Sequence, residues 1–236
     1  MDLQQRFQFA LGLPAVPIMG DEDLTVTLYY MSGSPYGWRA WLALAHKRVE
    51  HKLTTLSYDA GDLNKPEFAA LTPRRRVPVL VDDHLVLFES AAIVEYIEER
   101  WPGEPRLFSA DLRRRARERR LVREADGYFA VGLERLVSAV LFTPVERRSP
   151  ERIARICADL GSELARWEAA IAGDYLAGTL SAVDFTLYPQ IALVERMGER
   201  NPGLLLPDLL GPKLAAWMRR MAALPIVQAT WPPHWR

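Results

Sequence analysis

The sequence predicts a small mixed α/β domain followed by a larger all-helical one. Two observations carry that expectation. Every strand signal falls in the first hundred residues, in the order strand, helix, strand, then strand, strand, helix; beyond about residue 108 only helical periodicity remains. The boundaries so read are an N-terminal extension at 1–23, the α/β domain at 24–102, a linker at 103–109 and the helical domain at 110–236.

Thr25 to Tyr30 alternates, with Val26, Leu28 and Tyr30 on one face, and reads as the first strand. Ser34 reads as a helix N-cap with Pro35 at the first helical position. The helix continues through Trp38, Trp41, Leu42 and Ala45. Lys52 to Leu56 reads as a second strand, and the strand–helix–strand order implies a parallel pair with a right-handed crossover. Gly61 to Leu71 reads as loop with one helical turn. Arg76 to Ser90 reads as strand, turn, strand and helix start, with a hairpin around Asp82-Asp83-His84. Pro78 heads an apolar strand and cannot donate a ladder hydrogen bond, which leaves the edge beside Val77 open to something other than a strand. Ser90 opens a helix carrying Ile93, Val94, Ile97 and Trp101, ended by Pro102-Gly103. Then come one long helix from Leu112 to Phe142, basic in its first half, a helix starting at Pro150, and helices over Val183–Met197 and Pro212–Ala223.

Composition excludes several classes. Lys plus Arg and Asp plus Glu are 30 each, so bulk charge makes no case for nucleic acid or a membrane surface as partner. No apolar run is long enough to span a bilayer. Cys157 is the only cysteine, which excludes an internal disulfide framework, a CxxC pair and a multi-thiolate metal site. On an apolar helix face it reads as a small buried hydrophobe. His46, His51, His84 and His234 lack metal-ligand spacing, so no metal is expected. In the first 23 residues Pro14 and Pro17 interrupt the apolar stretch and Asp2 offsets Arg6. They read as a tail rather than a targeting peptide, and the expected compartment is the cytoplasm.

The βαβ–ββα order is that of the thioredoxin-like fold, here followed by an all-α domain. Four local motifs then resemble the cytosolic glutathione transferases, the serine-type bacterial members above all, with some likeness to the zeta and tau types. They are Ser34-Pro35-Tyr36-Gly37-Trp38-Arg39 after the first strand, Val77-Pro78-Val79-Leu80, Glu89-Ser90, and Ser181-Ala182-Val183-Asp184-Phe185. Together they span roughly residues 24 to 230.

The resemblance implies glutathione as co-substrate, a hydrophobic electrophile as second substrate and a homodimer. It makes Ser34 the catalytic residue, its hydroxyl donating to the glutathione sulfur. A free thiol of pKa about 8.5 is mostly protonated at neutral pH, and a hydroxyl donor beside a helix N-terminus favours the thiolate. The residue-level alternative is a plain cap that accepts a backbone N–H; one hydroxyl can do both. Ser32, Tyr29 and Tyr30 are weaker candidates. The resemblance also implies a cis bond before Pro78, with the Val77 backbone meeting the cysteinyl part of glutathione. Ser90 would hold the γ-glutamyl carboxylate at a helix N-terminus, with Glu89 against the ammonium. The glycyl carboxylate needs a cation, for which Arg76, Arg75 and Lys52 compete with a solvated-loop reading of Arg74-Arg75-Arg76.

Ser181 and Asp184 match a capping box, a folding element. The basic run Arg113 to Arg120, which includes Glu118, reads as a solvated helix face or a subunit contact. Tyr128, Phe129 and Leu133 fit an electrophile pocket or plain packing. The aromatic tail Trp231-Pro232-Pro233-His234-Trp235 is compatible with folding over the pocket or lying on the surface. A glutathione-dependent isomerase of the maleylacetoacetate type and a non-catalytic binding module are the competing functions.

Overall fold

The computed structural model describes residues 26–171, 173–202 and 209–235. The extension expected at 1–23 lies outside them, as does Thr25. The first strand, β1, runs Val26–Met31, with Val26, Leu28 and Tyr30 buried in alternation. Helix α1 is Pro35–His46 and β2 is His51–Leu56. A short 3₁₀ turn at Asp62–Asn64 and helix α2, Pro66–Leu71, replace the single helical turn expected there. Strands β3 (Val79–Asp82) and β4 (Leu85–Phe88) form the hairpin, and α3 is Ser90–Arg100.

The four strands are ordered β2-β1-β3-β4. β1 and β2 are parallel, from Val26 opposite His51 to Met31 opposite Leu56. β3 is antiparallel to both β1 and β4, with Tyr29 opposite Val79 and Val79 opposite Phe88. This is the thioredoxin-like arrangement. It directs the C-terminal ends of β1 and β2 to one edge of the sheet, where the turn into α1 begins.

The rest is helical. In place of one unbroken helix, α4 (Leu112–Glu124) and α5 (Ala130–Val140) are joined by a wider π turn at Ala125–Phe129. α6 is Pro150–Ala170, α7 Ala182–Arg200, α8 Pro212–Ala222 and α9 Pro225–Ala229. Nothing in the sequence pattern signals the π turn, because an inserted residue leaves the apolar stripe almost intact. Phe129 and Leu133 are buried in the core, whereas Tyr128 is 67% exposed. Glu118, expected on a solvated face, is buried and accepts Ser109 N at 2.7 Å.

Two buried polar clusters tie the helices to one another. In the capping box of α7, Ser181 N donates to Asp184 Oδ2 at 2.9 Å and Val183 N to Ser181 Oγ at 3.3 Å. Asp184 also accepts Leu176 N at 3.0 Å and the Trp217 indole at 2.9 Å. Burial pushes its carboxyl up to about 6 against the pull of those donors. The second cluster centres on Arg39, described below. Among the described residues no helix is long and apolar enough to cross a membrane.

Candidate active site

A cavity of about 400 Å³ opens where α1, the start of β3 and the start of α3 meet the α4–α5 stretch. From the α/β side it is lined by Arg76, Val77, Pro78, Glu89 and Ser90, and from the helical side by Arg123, Asp126 and Glu134. Five of the residues singled out from sequence therefore share one wall.

Local chemistry places each. The Val77–Pro78 bond is cis, and the ladder with β1 starts only at Val79. Glu89 has φ 73° and ψ 101°, a backbone conformation that costs a non-glycine residue on the order of 1–3 kcal/mol and clusters at functional sites. It turns the chain sharply from β4 into α3. Its side chain is exposed, 4.0 Å from Arg74, and makes no capping bond. The first N–H groups of α3 are thus left uncapped beside the cavity, which suits an anion.

Ser90 is buried, and its hydroxyl accepts from Arg39 Nη2. Arg39 Nη1 reaches both Asp126 carboxylate oxygens at 2.9 Å and Thr186 Oγ1 at 3.3 Å. Arginine is almost never this buried unless paired. Here a guanidinium from α1 joins the start of α3, the π turn and α7. Sequence reasoning recognised Trp38-Arg39 only as a family motif. An arginine on the apolar face of an amphipathic helix was the available signal, but its partner lies 87 residues away.

Ser34 caps α1, accepting Gly37 N at 3.2 Å, and is half-buried. It is not itself in the wall of this cavity; Tyr36, two residues on, is. The Tyr36 phenol donates to Glu134 Oε1 at 3.1 Å across the cleft. Burial first, then the facing Glu134 carboxylate, push that phenol well up from its ordinary value, so it stays protonated. The other tyrosines lie elsewhere. Tyr30 is in the core with its ring 5.2 Å from that of Trp41, and Tyr29 packs 6.2 Å from Phe68 beside a separate cavity of about 280 Å³.

Lys52 stands apart from the other candidates. It is exposed near the N-terminal end of β2, opposite Thr27, and is absent from the cavity wall. The site lies at the C-terminal ends of the parallel strands. Four residues at about 3.3 Å each put Lys52 roughly 13 Å back along the strand. Arg75 is turned to Asn64, at 3.4 Å, which leaves Arg74 and Arg76 as the cavity's cations from that run.

Comparison with known proteins places this geometry in a family. Residues 33–100 match the model described as Glutathione S-transferase, N-terminal domain, and residues 150–220 that described as Glutathione S-transferase, C-terminal domain. Maleylacetoacetate isomerase of Mus musculus is 31% identical over 173 residues, covering 72% of this chain and 78% of that protein. Glutathione S-transferase A of Pleuronectes platessa is 24% identical over 218 residues, covering 89% and 92%. A glutathione transferase from Pseudomonas putida, solved with one glutathione disulfide bound per subunit, shares the fold with a TM-score of 0.80, at 20% identity over 99% of both chains. The chain belongs to the glutathione S-transferase family.

Proposed function

We propose that the protein is a glutathione transferase that joins the glutathione thiolate to a hydrophobic electrophile. The observation that carries this reading is the convergence of Val77, Pro78, Glu89, Ser90 and Arg76 on one cavity faced by the helical domain. In it the γ-glutamyl carboxylate sits at Ser90 and the uncapped start of α3, with Glu89 near the ammonium. The Val77 backbone meets the cysteinyl unit, and Arg76 neutralises the glycyl carboxylate. This directs the thiol toward the Ser34 turn. The Ser34 lone pair is taken by Gly37 N, and its O–H is free to donate to the sulfur. The protein supplies a lowered thiol pKa and proximity; the sulfur–carbon bond forms as the electrophile's leaving group departs with its electron pair. Location in the cytoplasm and a homodimer belong to the same reading. The exposed Tyr128 and Val131 offer apolar area for a subunit contact.

The test is calorimetric titration of glutathione into wild type and Ser34→Ala, with thiolate absorbance followed against pH. Wild type should bind and lower the thiol pKa. Ser34→Ala should keep binding, raise that pKa and reduce kcat/KM for an aryl halide by about ten- to a hundredfold, one to two factors of ten in transition-state stabilisation. Unchanged thiolate formation in Ser34→Ala would move the role to another donor, with Tyr36→Phe the next variant. No glutathione binding by wild type would end the enzyme reading.

A second reading is glutathione-dependent isomerisation, favoured by the 31% identity to the murine maleylacetoacetate isomerase. Turnover of a cis-dienoic acid with glutathione recovered unchanged would select it; consumption of glutathione by an electrophile selects conjugation.

A further inference from the structure

The C-terminal tail ends on the turn that presents Ser34. Ser34 N donates to Met31 O at 2.9 Å, closing a β-turn whose central residues are Ser32 and Gly33. Gly33 has φ 83°, the left-handed conformation that such a turn asks of its third residue. Both central residues are in contact with the tail. The Ser32 hydroxyl lies 2.6 Å from His234 Nδ1. A Cβ added at Gly33 would fall 2.6 Å from His234 Cε1 and 3.1 Å from the Trp235 indole nitrogen, so only glycine lets the imidazole lie this close to the turn backbone.

The tail is anchored independently of that contact. Trp235 is buried and meets Trp38 and Trp231 edge-on, with ring centroids 5.7 Å apart in each case. The Trp38 indole donates to Thr230 Oγ1 at 2.9 Å. Trp38 stands four residues after Ser34 on α1, so the tail grips both the helix and the turn before it. Burial first, then the charges of Arg196 and Arg200, hold the His234 ring below its ordinary pKa. A neutral ring protonated at Nε2 leaves Nδ1 to accept from the Ser32 hydroxyl.

We propose that His234 is a positioning residue for the thiolate site: by holding Ser32 and lying on Gly33 it fixes the turn and hence the direction of the Ser34 hydroxyl. This rests on the proposed role of Ser34. A tail that served only to bury aromatic area would lower stability when altered and leave the thiol unaffected. A tail that positions the turn changes the thiol's ionisation in folded, glutathione-binding protein.

The experiment compares wild type, His234→Ala, His234→Asn, Ser32→Ala and the His234→Ala/Ser32→Ala double variant in the full chain. It reads thiolate absorbance of bound glutathione against pH, kcat/KM with an aryl halide, affinity for S-methylglutathione, and thermal midpoint. His234→Ala should raise the bound-thiol pKa by about half to one unit and lower kcat/KM about three- to tenfold, the effect of one hydrogen bond. S-methylglutathione affinity should stay within about twofold, one lost contact outside the binding wall being near neutral there. His234→Asn, whose amide oxygen takes the place of Nδ1, should recover most of the loss. Ser32→Ala should reproduce it, and the double variant should be no worse than either single one, because both remove the same bond. Should His234→Ala fail to fold, Ser32→Ala breaks the bond with the tail's packing intact. The proposal is overturned if Ser32→Ala leaves the thiol pKa at the wild-type value, if the two losses simply add, or if only stability changes. If wild type forms no thiolate, or Ser34→Ala is silent, the underlying reading of Ser34 fails instead.

Discussion

Helices α1 and α3 both open beside the cleft with a serine, yet the two starts are held by different means. At α1 the Ser34 side chain takes the Gly37 N–H, and the turn before it is clasped by the tail. At α3 no side chain caps the first turn, Glu89 sits in a costly backbone conformation, and the Ser90 hydroxyl is held by a buried guanidinium. A satisfied cap leaves a hydroxyl proton for a neighbouring anion such as a thiolate. An unsatisfied helix start leaves backbone donors for a carboxylate. On the proposed reading, the difference matches α1 to the thiolate of glutathione and α3 to its γ-glutamyl carboxylate.

The largest test of this contrast is Arg39→Met. It removes the support of the α3 start and strands Asp126, so we expect a loss of about 3 kcal/mol, the low end for breaking a buried pair because Asp126 is 23% exposed at its side chain. Urea unfolding with an unchanged m-value reads it. Glutathione affinity should fall as well, whereas the bound-thiol pKa should move little, since the α1 turn is fastened separately. Adding Asp126→Leu should recover part of the stability, no charge then being left unpaired. A loss below about 1 kcal/mol for the single variant, a surface-pair value, would show that the guanidinium does not hold the α3 start.

Ser90→Ala comes next. It deletes the hydroxyl but keeps the backbone N–H at the helix start. The dissociation constant for S-methylglutathione should rise about tenfold, the effect of one hydrogen bond to a charged group. An unchanged affinity would place the γ-glutamyl carboxylate elsewhere along α3.

What was legible in the sequence follows the range of each interaction. Ser34-Pro35, Glu89-Ser90 and the Ser181–Asp184 box announce themselves because capping chemistry is complete within four residues. The strands followed from alternation, and the parallel β1–β2 pair from the strand–helix–strand order. The contacts that finish the site span 87 residues for Arg39–Asp126, 98 for Tyr36–Glu134 and 202 for Ser32–His234, and no local pattern encodes them. The π turn that carries Asp126 was hidden for a related reason: its residues look helical, and only the cavity shows what they face. Such widened turns are frequent at functional sites. Lys52 came from the family pattern, and only the register, which sets it opposite Thr27, shows how far back along β2 it lies.

The smallest expected effect separates Arg76 from Lys52. Both were offered as partners for the glycyl carboxylate, and both are exposed. Arg76 lines the cavity immediately before the cis bond at Val77–Pro78; Lys52 lies back along β2. An exposed ion pair contributes only about 0.2–1 kcal/mol, so Arg76→Ala should weaken glutathione binding about two- to fivefold. The deficit should shrink as salt is raised, because screening removes the same term. Lys52→Ala should bind like wild type at every salt concentration, as a charge more than a Debye length of about 10 Å away is largely screened. Calorimetry at low and high salt on the two variants reads both. If Arg76→Ala is silent while Arg74→Ala shows the salt-dependent loss, the carboxylate sits nearer Glu89 and the ligand lies more compactly across the cavity. If Lys52→Ala weakens binding, glutathione occupies the opposite end of the sheet, and the placement of its thiolate at α1 and its γ-glutamyl carboxylate at α3 fails with it.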